Sequence, residues 1–139
     1  MKYMYVFIFV LVSLHSANTF AADTASGESL SQQEKEFSTK CNLEARNALV
    51  HGDMALVEKV CTQAINEIEK SHAGREVLVD PIMNLAFSYT LTGQFEKATP
   101  LYNRARDIRE KLYGADSRQL KEIDDMIKKQ EEMKQQHER

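Results

Sequence analysis

Two cysteines, four histidines and a few adjacent carboxylates are the side chains of this 139-residue chain best suited to chemistry. His51 falls in a turn, His72 near a helix end and His137 in the tail, so no two stand at ligand spacing and none adjoins a nucleophile motif. No HExxH, GxSxG or glycine-rich phosphate loop occurs. Asp124-Asp125 and Glu131-Glu132 are paired carboxylates, but Lys121, Lys128 and Lys129 stand among them, which is the pattern of a solvated ion-pair face. Cys41 and Cys61 leave three options: a disulfide, two buried thiols acting as small hydrophobes, or part of a zinc site. Zinc lacks third and fourth ligands at suitable spacing. These residues predict no catalytic centre, no cofactor and no metal.

The elements that carry those residues follow from composition and periodicity. With 42% apolar and 28% charged residues, 5 Gly and 2 Pro, the chain is an ordered protein rather than collagen, low-complexity disorder or a polytopic membrane protein. Its 18 basic and 21 acidic residues give a net charge of −3, which argues against nucleic acid or an anionic membrane as partner. Lys2, the apolar stretch from Tyr3 to Leu14 and the small residues of Thr19-Phe20-Ala21 read as a secretory signal peptide over residues 1–21, cut after Ala21 or Ala22. The alternative is an uncleaved anchor, but a spanning helix wants about 20 apolar residues, and this stretch runs into His15, Ser16 and Asn18. The location expected is periplasmic or secreted, with no membrane insertion after cleavage. Residues 22–30 are small and polar and read as a flexible tether. Ser31 with Glu34 is a capping-box pattern that starts the first helix near Gln32.

An offset of 41 residues superposes Gly52 on Gly93, Met54 on Phe95, Val57 on Ala98, Cys61 on Tyr102 and Ala64 on Ala105. The same offset carries Cys41 onto Ile82, Ala45 onto Ala86 and Ala48 onto Tyr89, then Ile82, Leu85 and Ala86 onto Ile123, Met126 and Ile127. Apolar residues recur at three and four, as in Phe37, Cys41, Ala45 and Ala48, so every unit is helical. The expected helices are 32–50, 54–71, 81–91, 95–113 and 117–134, followed by a polar tail at 135–139. Gly52, Gly74, Gly93 and Gly114 stop them, Asp80 with Pro81 and Asp116 with Gln119 cap them, and Pro100 should kink the fourth. Each cysteine lies 10 residues from residue 51, the centre of the first hairpin, so antiparallel helices bring both to one height on inward faces. In an exported chain that favours the Cys41 to Cys61 disulfide over two buried thiols.

Leu85, Ala86, Tyr89, Gly93, Phe95, Ala98, Tyr102 and Ala105, with the run from Pro100 to Gly114, resemble the tetratricopeptide repeat in its longer, kinesin-light-chain variety. The resemblance implies an all-α fold: a short α-solenoid of two hairpins, about 37–74 and 79–114, plus a capping helix at 117–134, together a domain at 31–134 of an exported bacterial protein. The first repeat departs from the pattern at Ala48, Met54 and Val57. Carried over residue by residue, the resemblance places Asn42, Leu43, Arg46, Leu49, Val50, Met83, Asn84, Phe87, Thr90 and Leu91 on a partner-binding groove. Lys121, Asp124 and Lys128 would continue it on the last helix. The family's carboxylate clamp is not reproduced, since Asn42 and Arg46 stand where a lysine and an asparagine are needed.

The function expected is a non-catalytic adaptor that binds a protein or peptide segment, with a self-associating structural subunit of an envelope assembly as the alternative and an enzyme as the least favoured. Export itself is testable by intact-mass measurement of protein from the envelope fraction. A mass lacking residues 1–21 or 1–22 is expected, and retention of Met1 contradicts the reading.

Overall fold

A computed structural model describes residues 17–71 and 75–139, and the side chains among them from Gln32 to Ser71 and from Glu76 onward. The apolar stretch from Tyr3 to Leu14, His72 and Gly74 lie outside the described residues. Among the described residues there are five α-helices and no strand: α1 Ala17–His51, α2 Met54–Lys70, α3 Val79–Leu91, α4 Phe95–Tyr113 and α5 Arg118–His137, with a 3-10 turn at Arg75–Leu78. The fold is all-α. The chain divides into two units, Met1–Gln33 and Glu34–Arg139. Of the first, only the α1 backbone from Ala17 onward is described; the second contains the hairpins and everything that follows.

The 41-residue repetition is present in the backbone. After α1, Gly52 takes φ 74° and the Asp53 N–H donates to Ala48 O at 2.9 Å; after α3, Gly93 takes φ 71° and the Gln94 N–H donates to Tyr89 O at 2.8 Å. Both turns are the same helix stop, one that requires a left-handed residue and therefore favours glycine. Asp53 then caps α2 by accepting from the Leu56 N–H at 3.0 Å. The pairs related by the offset are buried in both copies: Cys41 and Ile82, Ala45 and Ala86, Val57 and Ala98, Cys61 and Tyr102, Ala64 and Ala105. Alanine at these positions lets helix axes approach closely, and Tyr89 and Tyr102 fill the space between, while Phe95 is buried at the start of α4. Successive helices from α2 to α5 pack on one another.

Five expectations are corrected. The first helix begins at Ala17, not near Gln32, so residues 22–30 are helical rather than a tether. Alanine at 17, 21, 22 and 25 favours helix. Glu34 does not close a capping box; it is 3% exposed and accepts a hydrogen bond from the Ser71 hydroxyl at the end of α2. Asp80 is not the cap of α3, which starts at Val79 with no side-chain cap, and its carboxylate is engaged elsewhere. Pro100 does not interrupt α4. The Glu96 carbonyl it leaves without an N–H belongs to an exposed residue of the first turn, open to solvent. Finally, α5 is capped by Ser117 rather than Asp116 and runs to His137, through most of the supposed tail. Long-range contacts hold that extension: Gln130 donates to Thr99 at 2.9 Å, Lys134 pairs with Glu96 at 2.8 Å, and the His137 ring meets Phe95 edge-on at 5.9 Å.

Cys41 and Cys61 form the disulfide expected from spacing, with Cα atoms 5.0 Å apart. It closes a loop of separation 20, and loop-closure entropy makes it worth about 3 kcal/mol. Thiol titration of the denatured, unreduced protein should find no free thiol, and reduction should lower the melting temperature by several degrees. Two titratable thiols would contradict the bridge.

The Tyr89 hydroxyl donates to the Glu58 carboxylate at 2.7 Å, tying α3 to α2. Burial, and then this carboxylate, push its pKa from the ordinary 10.0 to about 12. Because the fold favours the neutral phenol, the associated stability is whole below about pH 10 and is lost as pH rises through about 12. Spectrophotometric titration should show a tyrosine ionising near 12 that disappears in Tyr89→Phe, whose stability should fall less at high pH. Native tyrosines that all ionise near 10 would contradict this contact.

Candidate functional site

The faces of α1 and α3 that look away from the core leave a groove of about 530 Å³ between them. Asn42, Arg46, Leu49 and Val50 form one wall, and Asp80, Met83, Asn84 and Phe87 form the other. On each helix these residues recur at three and four, so the stripe that lines the groove is set by helical geometry alone. The two helices are held in register by a ladder of amides. Asn84 Nδ2 donates to Asn42 Oδ1 at 2.6 Å, and Asn42 Nδ2 donates to Asp80 Oδ2 at 3.1 Å. Asn84 Nδ2 also lies 3.9 Å from Cys41 Sγ, which places the disulfide directly behind the ladder. From α4, Arg109 approaches the other Asp80 oxygen at 4.0 Å, and its Nε is buried without a hydrogen-bond partner.

Seven of the residues expected on the groove are thus brought together: Asn42, Arg46, Leu49, Val50, Met83, Asn84 and Phe87. The others are not. Leu43 and Leu91 are exposed, at 65% and 44%, but lie outside it. Thr90 is 3% exposed, and its hydroxyl donates to Ala86 O at 3.0 Å and lies 3.4 Å from the Tyr102 hydroxyl, so it belongs to the interior and its place on the groove is corrected. Lys121 and Lys128 are exposed on α5 away from the groove, and Asp124 is held by Arg106 of α4 at 2.8 Å. Asp80 is the lining residue that the sequence reading assigned to another task. Its spacing of four from Asn84 was the available signal.

The groove offers hydrogen-bonding, charged and apolar groups side by side. The Asn42 amide has a second N–H beyond the one spent in the ladder, which suits a peptide carbonyl, whereas the second N–H of Asn84 is turned to Cys41 Sγ. Arg46 is exposed and, among the described residues, makes no ion pair, which leaves its guanidinium free for a carboxylate. Leu49, Val50, Met83 and Phe87 offer apolar contact on both sides of these groups. Among the described residues no three His, Cys, Asp or Glu side chains stand close enough to hold a metal ion. His51 Nδ1 lies 2.8 Å from Asn47 O of its own helix, and His137 rests on Phe95. No described helix is long and apolar enough to cross a membrane. Comparison with family models, with curated proteins and with solved structures finds no match to this chain.

Proposed function

We propose that this chain is an exported, non-catalytic adaptor of the tetratricopeptide kind, which binds a protein or peptide segment in the groove between α1 and α3. The observation that carries the reading is the groove's lining. It places four apolar side chains beside an arginine that makes no ion pair among the described residues and an amide ladder, on two helices whose backbones repeat at 41 residues. An extended or helical segment laid there would gain affinity from the apolar anchors and register from Arg46 and the amides. The Cys41–Cys61 bridge is compatible with an oxidising compartment and so supports the exported part of the proposal.

Phe87 and Arg46 both stand outside the interhelical core, so Phe87→Ala and Arg46→Glu separate binding from folding. Immobilised protein should capture its partner from envelope extract, and each variant should reduce capture by about tenfold, the scale of a single interface anchor, with an unchanged helical circular dichroism spectrum. Variants that remain folded and capture as well as the parent would overturn the groove as the binding site.

A further inference from the structure

The 41-residue offset also identifies what the first hairpin lacks. On α4, Leu101 and Arg104 lie on the stripe that faces α2, since Arg104 forms an ion pair with Glu69. Their counterparts on α2 are Val60 and Gln63, with Leu56 one turn earlier, and among the described residues no preceding hairpin receives them. On α1 the counterparts of buried Leu78, Pro81 and Leu85 are Phe37, Lys40 and Glu44. The result is a crevice of about 190 Å³ between α1 and α2, with half-buried Phe37, Leu56 and Val60 at its centre and Lys40, Glu44, Lys59 and Gln63 around it. An apolar centre with a charged rim is the composition of a protein interface.

The charges select the occupant. With the disulfide fixing residues 41 and 61 at one height, Lys59 stands level with Glu44 and Gln63 level with Lys40 across the crevice. Two copies placed face to face about a two-fold axis parallel to the helices would set Glu44 against the second copy's Lys59, twice. About an axis perpendicular to them, Lys40, which already pairs with Glu44 of its own helix at 3.9 Å, would also meet the second copy's Glu44, twice. Both arrangements pair unlike charges and neither opposes like ones, so the face is complementary to itself. At the opposite end of the molecule the exposed residues of α5 are all polar, and Met126 and Ile127 pack against the core. Exposed residues of α5 there include Lys121, Glu122, Asp125, Lys128 and Lys129, which disfavours head-to-tail joining and leaves the closed, isologous contact.

We propose that this face binds a second copy of the chain and that the protein is a two-fold dimer through the α1–α2 hairpin. The surface is separate from the α1–α3 groove, so the proposal stands or falls independently of the adaptor reading. Sedimentation equilibrium of the purified protein over a wide concentration range tests it. A monomer–dimer equilibrium is expected. Leu56→Glu should leave a monomer, and Glu44→Lys should raise the dimer dissociation constant by about tenfold or more through two symmetry-related pairs. Restoration of the dimer by either Lys59→Glu or Lys40→Glu in the Glu44→Lys background would identify the axis. A parent protein that is monomeric throughout, as when residues 1–33 or an unrelated protein cover the face, overturns the proposal. So does a dimer that Leu56→Glu leaves intact, or a Glu44→Lys defect that neither second substitution repairs.

Discussion

The covalent bond between Cys41 and Cys61 sits where the second hairpin has Ile82 and Tyr102, and much of the structure leans on that exchange. In the second hairpin a large aromatic ring is 1% exposed between α3 and α4, and Tyr89 and Phe95 add to the same core. In the first hairpin the equivalent positions hold Ala48 and Met54, which bury less surface and hold the helices less firmly. A short cross-link needs little volume and fixes helix height without apolar mass. Constraining the unfolded chain offsets a thin core.

The position of that bond governs the groove. Asn42 follows Cys41 directly, so the bridge determines where the α1 wall stands when its amide meets Asn84 and Asp80. A slip of one turn along α1 would move Asn42 about 5.4 Å from its partners and leave the ladder unpaired. Polar groups in such a ladder favour one register strongly because a partly satisfied network costs more than none. The bridge and the ladder together give α1 and α3 the fixed spacing that the proposed binding surface needs.

What was legible in the sequence is what local rules decide. Glycine at 52 and 93 marked two stops with the same backbone geometry, apolar spacing marked each buried stripe, and hairpin symmetry put the two cysteines level. What was missed depends on partners far along the chain. Glu34 looked like a local cap because nothing nearby showed that Ser71, 37 residues on, would take its carboxylate. The tail of α5 looked polar and loose because Gln130, Lys134 and His137 find their partners on α4, which periodicity does not register. Thr90 carries the spacing of a groove residue, yet its hydroxyl is satisfied by its own helix and by Tyr102, so burial costs little and the side chain turns inward. Asp80 had a plausible local task before a proline and a tertiary one beside Asn42, and the tertiary one prevailed.

The dependence of the groove on the bridge is open to direct measurement by native-state amide hydrogen exchange on oxidised and reduced protein. In the oxidised form, amides of α1 from Cys41 to Leu49 and of α2 should be protected to a degree comparable with those of α3 and α4. Reduction should accelerate exchange across α1 and α2 by about a hundredfold, the equivalent of roughly 3 kcal/mol, while α4 and α5 keep most of their protection. Equal protection of α1 and α2 before and after reduction would show that the first hairpin, and with it the groove, stands without the cross-link.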